Sequence, residues 1–309
     1  MRVVFLGTPE FAVPSLDALG TAGYDLIAVF TQPDRPKGRG SQIAESPVKK
    51  AATAMGLPVL QPERIRRPDQ VEQLRSLAPD LMVVVGYGQI IPQGIIDIPR
   101  HGILNVHASL LPRHRGAAPI QWAIANGERT TGVTIMQIDA GLDTGDMLMR
   151  QELDILPDET ALELSGRLAP LGAELLIEAI RNIERGESHR EKQDDAHATL
   201  ARILKKEDGL IDWNCPAKQI YDRLRGFTPW PGAYTSFRGQ QLSIVRARPS
   251  EGASEPVGVM VTEKRRLLVG CGESTLLELM EVQLAGKRPM SSDAFLNGYK
   301  LTSKEELGG

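Results

Sequence analysis

An amide, an imidazole and a carboxylate are the side chains of this sequence best placed to do chemistry. Asn105 and His107 stand two residues apart in an apolar run, so on a strand their side chains lie on one face. Such a pair can donate hydrogen bonds to a developing oxyanion and move a proton. Asp143 lies in a loop after the next apolar run, and a carboxylate beside His107 would favour the imidazolium or fix its tautomer. We therefore expect the three side chains to meet at one edge of a sheet.

Each of these residues also has a purely structural interpretation. Asn-X-His pairs are common, His107 suits an ordinary hydrogen-bonded histidine, and Asp143 suits a turn. The surroundings favour chemistry, because the pair stands at a predicted strand end and is followed by a segment rich in glycine and proline. An acidic, turn-rich loop at 139–146 lies nearby.

Two other kinds of site are disfavoured by the motifs in the chain. His101, His107 and His114 are close in sequence, but they form no His-Glu-X-X-His motif and no cysteine pair accompanies them, so we expect no metal. The loop Gly7–Glu10 departs from the Gly-X-Gly-X-X-Gly fingerprint, and no Walker lysine motif occurs. These departures argue against a nicotinamide enzyme or a P-loop protein.

The apolar runs predict the elements that must position these residues. The opening pattern is strand, helix, strand, which is typical of a parallel α/β sheet, over Val3–Leu6, Phe11–Leu19 and Leu26–Phe30. Further strands are predicted at Leu81–Val85, Ile103–His107, Thr131–Gln137 and Met147–Glu152. In an open parallel sheet, ligands bind beyond the carboxyl ends of the strands, which is where Asn105 and His107 stand.

Composition divides the chain into a catalytic domain at 1–184, a polar linker at 185–206 and a second domain at 207–309. The first domain is expected to be Rossmann-like, with a mostly parallel sheet. Short alternating runs of even spacing in the second domain predict a small antiparallel β-barrel, similar to an OB-fold, or a sandwich.

Length and charge exclude several classes of protein. The 309 residues have a formal net charge of −3 and are 41% hydrophobic, which argues against a disordered chain and against a strongly basic nucleic-acid packager. The two cysteines, Cys215 and Cys271, are far apart, so a disulfide scaffold is not expected. No apolar run is long enough for a membrane span, and we expect a cytoplasmic protein.

Several motifs spread over nearly the whole chain are specific in combination. They are Asn105-X-His107 with Ser109–Pro112, Gly116–Pro119, the Asp143 loop, Thr31–Pro36 with Gly38–Gly40, Asp208–Trp213, Arg225–Ala233 and Gly286–Met290. Together they resemble the formyltransferase family that uses 10-formyltetrahydrofolate. One departure is His114, where tryptophan is more usual in the family; we expect its side chain to line the entrance of the site.

The resemblance implies formyl transfer from a folate nitrogen to an amine, with no metal. Asn105 and protonated His107 would stabilise the oxyanion, while Asp143 would support His107 and relay a proton through water. Backbone groups of Val84–Tyr87 and Ala140–Asp143 would bond the pterin edge. The folate site would be lined by Ser109, Leu110, Leu111 and Pro112, although the two leucines taken alone suit simple core packing.

The resemblance also implies an acceptor, the methionine on initiator tRNA. A long loop is predicted over 31–50, and its residues 34–50 include five Lys or Arg and two acidic residues. Lys37 and Arg39 at its glycine-flanked tip would contact the tRNA, although a solvated loop explains them too. Residues 205–309 have 15 basic and 13 acidic residues, a weak sign of RNA contact. An amino-sugar nucleotide as acceptor, glycinamide ribonucleotide as acceptor and an inert RNA- or folate-binding protein remain the alternatives. A monomer is expected.

Overall fold

The computed structural model describes residues 1–37, 42–253, 255–301 and 305–308. The chain separates into two units, each assembled from several segments. Unit 1 consists of Met1–Pro119, Thr130–Asp154 and Ser165–Arg202, and unit 2 consists of Ile120–Arg129, Ile155–Leu164 and Ile203–Gly309. The predicted boundaries at 184 and 207 stay a prediction.

In the described residues, unit 1 contains nine strands, and seven of them form one sheet. The strands are β1 (Arg2–Gly7), β2 (Asp25–Phe30), β3 (Arg35–Lys37), β4 (Gln42–Ala44), β5 (Val59–Leu60), β6 (Leu81–Val85), β7 (Ile103–His107), β8 (Thr130–Gln137) and β9 (Met147–Asp154). The sheet order is β5-β2-β1-β6-β7-β8-β9. Neighbours from β5 to β7 are parallel, whereas β8 runs antiparallel to both β7 and β9. The expected mostly parallel α/β sheet is confirmed.

Both faces of this sheet are covered. Alternate residues Val4, Leu6 and Phe30 pack in one core cluster with Met82 and Ile103, and the residues between them in the strands are buried as well. All five residues of β6 are buried. A strand that is covered on both faces has no polar side, which is why these strands read as continuous apolar runs in the sequence.

The helices begin where the sequence places start signals. Ser46 caps the second helix by accepting a hydrogen bond from the Lys49 backbone N–H at 3.0 Å, and Pro47 follows at its first position. The helices are α1 (Val13–Thr21), α2 (Pro47–Ala54), α3 (Pro68–Leu77), α4 (Gln93–Ile96), α5 (Pro119–Ala125) and α6 (Ala161–Arg185). The last two cross boundaries of the division into units.

The segment 31–50, predicted as a long loop, contains a short hairpin. β3 and β4 pair antiparallel with Arg35 opposite Ala44, on either side of residues 38–41, which lie outside the described residues. Within the described residues β3 and β4 form a two-stranded sheet of their own, and strands of three residues are too short to show an alternating pattern in the sequence.

Unit 2 contains a second sheet with antiparallel pairing throughout. Its elements are α7 (Ala217–Gly226), β10 (Ala233–Phe237), β11 (Gln240–Ser250), β12 (Met260–Glu263), β13 (Arg266–Cys271), β14 (Thr275–Leu284), β15 (Met290–Ser291) and α8 (Ser292–Gly298). The sheet order is β10-β11-β14-β13-β12, with β15 on β14. The expected antiparallel module is confirmed, and its closure into a barrel stays a prediction.

Among the described residues, no helix combines the length and the apolar character that crossing a membrane requires.

Candidate active site

The end of β7 holds the predicted amide and imidazole. Asn105 lies opposite Val84 of β6 and Met136 of β8, and His107 lies opposite Thr134 of β8. The His107 side chain is 5% exposed, whereas Asn105 is half-buried. The strand alternation therefore places both side chains on one face, as the sequence predicts.

The loop after β8 brings a carboxylate to this pair. Asp143 Oδ1 accepts a hydrogen bond from Asn105 Nδ2 at 3.4 Å, and Asp143 Oδ2 lies 3.7 Å from His107 Nδ1. The backbone N–H of Gly116 donates to the same Oδ2 at 2.8 Å. The three residues predicted to meet are thus together, with the carboxylate held between the amide and the imidazole.

A hydrogen bond at Nε2, the second ring nitrogen of His107, fixes the tautomer of this residue. Nε2 lies 2.9 Å from the carbonyl oxygen of His114, and because a carbonyl oxygen only accepts, Nε2 must carry a hydrogen. The proton that His107 gains or loses is therefore the one on Nδ1, the nitrogen that faces Asp143. His114, expected at the entrance, is buried instead, and it contributes this carbonyl from a left-handed backbone with φ of 61°.

The predicted folate segment is tied to β8. Thr134 Oγ1 donates to the Ser109 carbonyl at 2.7 Å and accepts from the Leu111 N–H at 3.1 Å. Leu111 packs in a buried cluster with Met136 and Met147, which is the core-packing alternative, while Leu110 stays half-buried. Contact of Ser109, Leu110, Leu111 and Pro112 with folate stays a prediction.

A groove of about 760 Å³ opens at the carboxyl ends of β1, β2 and β6, and β6 is the neighbour of β7. Thr8 Oγ1 and Gln32 Nε2 both donate to the Tyr87 carbonyl, each at 3.1 Å, so the three strand ends are joined at one oxygen. Sequence reasoning missed Thr8 and Gln32, although each follows a predicted strand directly, which is the position where ligands bind in such sheets.

An ion pair between Asp34 and Lys49 joins the two ends of the basic loop, residues 34–50. Lys49 Nζ bonds the Asp34 carboxylate, and Gln61 Nε2 donates to Asp34 Oδ1 at 2.8 Å. The bond from Lys49 holds the pKa of Asp34 below its usual range. Of the predicted tRNA contacts, the Lys37 backbone belongs to β3, and Arg39 lies outside the described residues.

Sequence reasoning also missed a glutamine that supports the Asp143 loop. Gln193 Nε2 donates to the carbonyls of Asp143 and Gly145 at 2.8 Å each, and Gln193 Oε1 accepts from Arg115 Nε at 2.9 Å. Gln193 lies in the polar segment that the sequence predicts as a linker. That segment carries no apolar period, so nothing in it indicates a role beside the site.

The described part of the chain contains no group of three or more His, Cys, Asp or Glu arranged to hold a metal ion. His101, one of the three histidines considered above, accepts a hydrogen bond from the neighbouring Arg100.

Comparisons with known proteins agree on one family. The formyl transferase family model matches residues 1–180, and the model of the formyl transferase C-terminal domain matches residues 203–300. The methionyl-tRNA formyltransferase of Solibacter usitatus is 57% identical over 308 residues, covering 100% of this chain and 99% of that protein. The methionyl-tRNA formyltransferase of Koribacter versatilis is 56% identical over 309 residues, with the same coverage.

Solved structures share the fold at much lower identity. The sugar 3N-formyl transferase WlaRD, determined with dTDP and 5-N-formyl-THF, has a TM-score of 0.68 at 18% identity and covers 93% of this chain and 99% of its own. The N-formyltransferase of Helicobacter canadensis, determined with folinic acid and dTDP-3-aminofucose, has a TM-score of 0.69 at 17% identity, covering 90% and 98%.

Proposed function

The chain belongs to the methionyl-tRNA formyltransferases of the formyl transferase family, and we propose that Asn105, His107 and Asp143 carry its transfer of a formyl group to the amino group of methionyl-tRNA. The donor is 10-formyltetrahydrofolate, and the acceptor is the methionine on initiator tRNA. One observation supports the assignment of these residues: the Asp143 carboxylate bonds Asn105 and faces Nδ1 of His107.

The reaction requires one proton to leave the amine and one to reach the folate. The neutral methionine nitrogen attacks the formyl carbon, a C–N bond forms, and the carbonyl electrons move onto oxygen. Asn105 Nδ2 has a second hydrogen beyond the one given to Asp143, and it donates to this oxyanion together with Nδ1–H of the His107 imidazolium.

Asp143 serves the proton transfer. Its carboxylate stabilises the imidazolium and takes the proton of the attacking amine through water, then returns it to the folate nitrogen as the C–N bond to the donor breaks. The folate leaves as a neutral amine and the formamide forms, so charge and protons balance without any further reactant.

The surface beside the carboxylate suits the donor. Leu142, the residue before Asp143, is 62% exposed, and a large apolar side chain left open there offers contact area for a flat ring system. The half-buried Leu110 of the predicted folate segment offers another apolar contact, while backbone groups of 84–87 and 140–143 bond the pterin edge.

Single substitutions test the proposed residues. Asn105→Ala and His107→Ala are each expected to lower kcat by about 10²–10³-fold, because each removes one oxyanion donor. His101→Ala is the matched histidine control and should keep the rate of the unmodified protein. The assay measures formyl transfer to initiator Met-tRNA. Undiminished turnover in both variants would show that the roles proposed for Asn105 and His107 are wrong.

Acceptor specificity needs parallel substrates in the same assay. We expect turnover on initiator Met-tRNA, little on elongator Met-tRNA and none on a UDP-amino-sugar. Turnover on the sugar nucleotide alone would overturn the tRNA acceptor while leaving the folate chemistry intact.

We also propose that the acting species is a cytoplasmic monomer. Asn105, His107, Asp143 and Gln193 all come from one chain, so the site needs no residue from a second copy. Light scattering of the purified protein should give the mass of one chain, 33.8 kDa. A stable mass of twice that value would contradict the monomer.

A further inference from the structure

We propose that Gln193 is a positioning residue that holds the Asp143 loop in its reactive place. The inference rests on the proposed role of Asp143, and it assigns a function to the segment between α6 and unit 2's α7 that composition marks only as polar. It concerns unit 1 alone, because every residue involved belongs to that unit.

All the hydrogen-bonding capacity of the Gln193 amide nitrogen is used on this loop. Nε2 donates one hydrogen to the Asp143 carbonyl and one to the Gly145 carbonyl, both at 2.8 Å. Oε1 accepts from Arg115 Nε at 2.9 Å. The orientation of the amide is unambiguous, because carbonyl oxygens only accept and a guanidinium only donates.

The Asp143 loop needs such support. Asp143 has a left-handed backbone with φ of 52°, which residues other than glycine rarely adopt, and the neighbouring Leu142 is largely exposed and gives no apolar anchor. The Gly116 N–H fixes the carboxylate, and Gln193 fixes the backbone behind it. The place of the carboxylate thus depends on the bonds that Asn105 and Gly116 donate to its oxygens and on the bond that Gln193 donates to the backbone.

Arg115 makes Gln193 itself rigid. The arginine is 7% exposed, and Nη2 bonds Asp195 Oδ1 at 2.7 Å. Two hydrogen bonds also hold its backbone. Arg115 N donates to the Thr199 carbonyl at 2.9 Å, and Ala201 N donates to the Arg115 carbonyl at 2.7 Å. This arginine is therefore part of the support and not a contact for tRNA phosphates.

Removing the amide should act on catalysis through the Asp143 carboxylate. A displaced Asp143 no longer lies between Asn105 and Nδ1 of His107, where it takes the proton of the attacking amine, so kcat falls while the substrates still bind. A residue that served only stability would lower the melting temperature and leave the kcat of the folded protein unchanged.

The experiment compares Gln193→Ala and Gln193→Glu with the unmodified full chain. Both should lower kcat by about 10–100-fold, in the range typical of residues that orient reactive groups, with KM for donor and tRNA nearly unchanged. Gln193→Glu keeps an acceptor for Arg115 but loses both donors, so it isolates the bonds to the loop. Gln151→Ala, an exposed glutamine on β9, is the matched control with normal kcat.

A double-mutant cycle tests whether Gln193 acts through Asp143. In an Asp143→Asn background, adding Gln193→Ala should cost almost nothing further, because the group that it positions is already lost. Losses that multiply in the double variant, or a normal kcat in folded Gln193→Ala, would overturn the inference. Should Gln193→Ala fail to fold, the isosteric Gln193→Glu carries the test.

The two hypotheses fail differently. Full activity in Asp143→Asn would defeat the role that the proposed function gives to Asp143. An inactive Asp143→Asn together with a fully active, folded Gln193→Ala would defeat only the positioning role.

Discussion

At the scale of single residues, the site shows which contacts can be predicted from a sequence. Asn105 and His107 were predictable because strand alternation places residues two apart on one face. Asp143 was expected beside them because loops that follow parallel strands share one edge of a sheet. However, β8 runs antiparallel to β7, so the loop that carries Asp143 begins beside Leu104 and not beside His107, and its contact with the pair could be seen only in the structure. Gln193 was not predictable, because its neighbours are polar and its contacts depend on where a distant segment of the fold returns.

Tyr87 offers a test at this scale. The residue is 1% exposed, burial raises the pKa of its hydroxyl, and that hydroxyl has no hydrogen-bond partner among the described residues. Burying an unpaired hydroxyl costs about 1–3 kcal/mol, so Tyr87→Phe should raise the free energy of unfolding by about 1 kcal/mol. Urea denaturation measures the change.

The activity of Tyr87→Phe should be normal, because Thr8 and Gln32 bond the Tyr87 backbone carbonyl and not the ring. A raised KM for the folate donor would show instead that the hydroxyl is reserved for a ligand.

At the scale of elements, long apolar strands and amphipathic helices were predictable and short, locally paired pieces were not. The helix predicted over Phe11–Leu19 is α1 at Val13–Thr21, and the strand predicted at Leu81–Val85 is β6 with the same bounds. The hairpin β3–β4 and the helix α8 escaped prediction. Each is short, so local sequence gives too little of a period to recognise.

Helix α7 contains a buried ion pair that can be tested against an exposed one. The side chains of Asp222 and Arg225 are 5% and 6% exposed, and Arg225 Nη2 lies 2.6 Å from Asp222 Oδ1. Lys218 bonds the same carboxylate, but its side chain is 65% exposed. Asp222→Ala leaves the Arg225 charge buried without its carboxylate, so we expect a loss of about 3–5 kcal/mol in the free energy of unfolding.

Lys218→Met is the matched control for that substitution. It removes an exposed partner and should cost about 0–1 kcal/mol in chemical denaturation of the full chain. Similar small losses in both variants would mean that water or another group replaces Asp222 at the guanidinium.

At the scale of the whole molecule, charge is distributed unevenly. The chain has a net charge of −3, yet five basic and two acidic residues occupy 34–50. Within that stretch Lys49 is already paired with Asp34 and Glu45, so it holds the loop in place and is not among the proposed phosphate contacts, which are Lys37 and Arg39. Composition showed the basic loop; only the structure showed which cation holds its base.

The proposed contacts predict a salt effect. Lys37→Ala and Arg39→Ala should each raise KM for initiator tRNA and lower the slope of log binding constant against log salt by about 1, with kcat and donor KM unchanged. Titrations of tRNA at several KCl concentrations measure the slope. Arg75→Ala removes an equal charge from α3 and should leave the slope unchanged. If Lys37→Ala and Arg39→Ala also leave the slope unchanged, the proposed contacts are excluded.

The composition of unit 2 constrains how this chain can change over evolutionary time. Its segments Ile120–Arg129 and Ile155–Leu164 are encoded far upstream of the rest, and they are integral to it: Trp122 packs edge-on against Phe227 at 5.3 Å, and the Tyr221 hydroxyl donates to Asp158 at 2.7 Å. A recombination event that transplanted only residues 203–309 onto another catalytic sequence would deliver an incomplete unit. We therefore expect the gene to be inherited as a whole, with compensating changes in Ile120–Arg129 and Ile155–Leu164. Exchange of the part that encodes residues 203–309 alone is not expected.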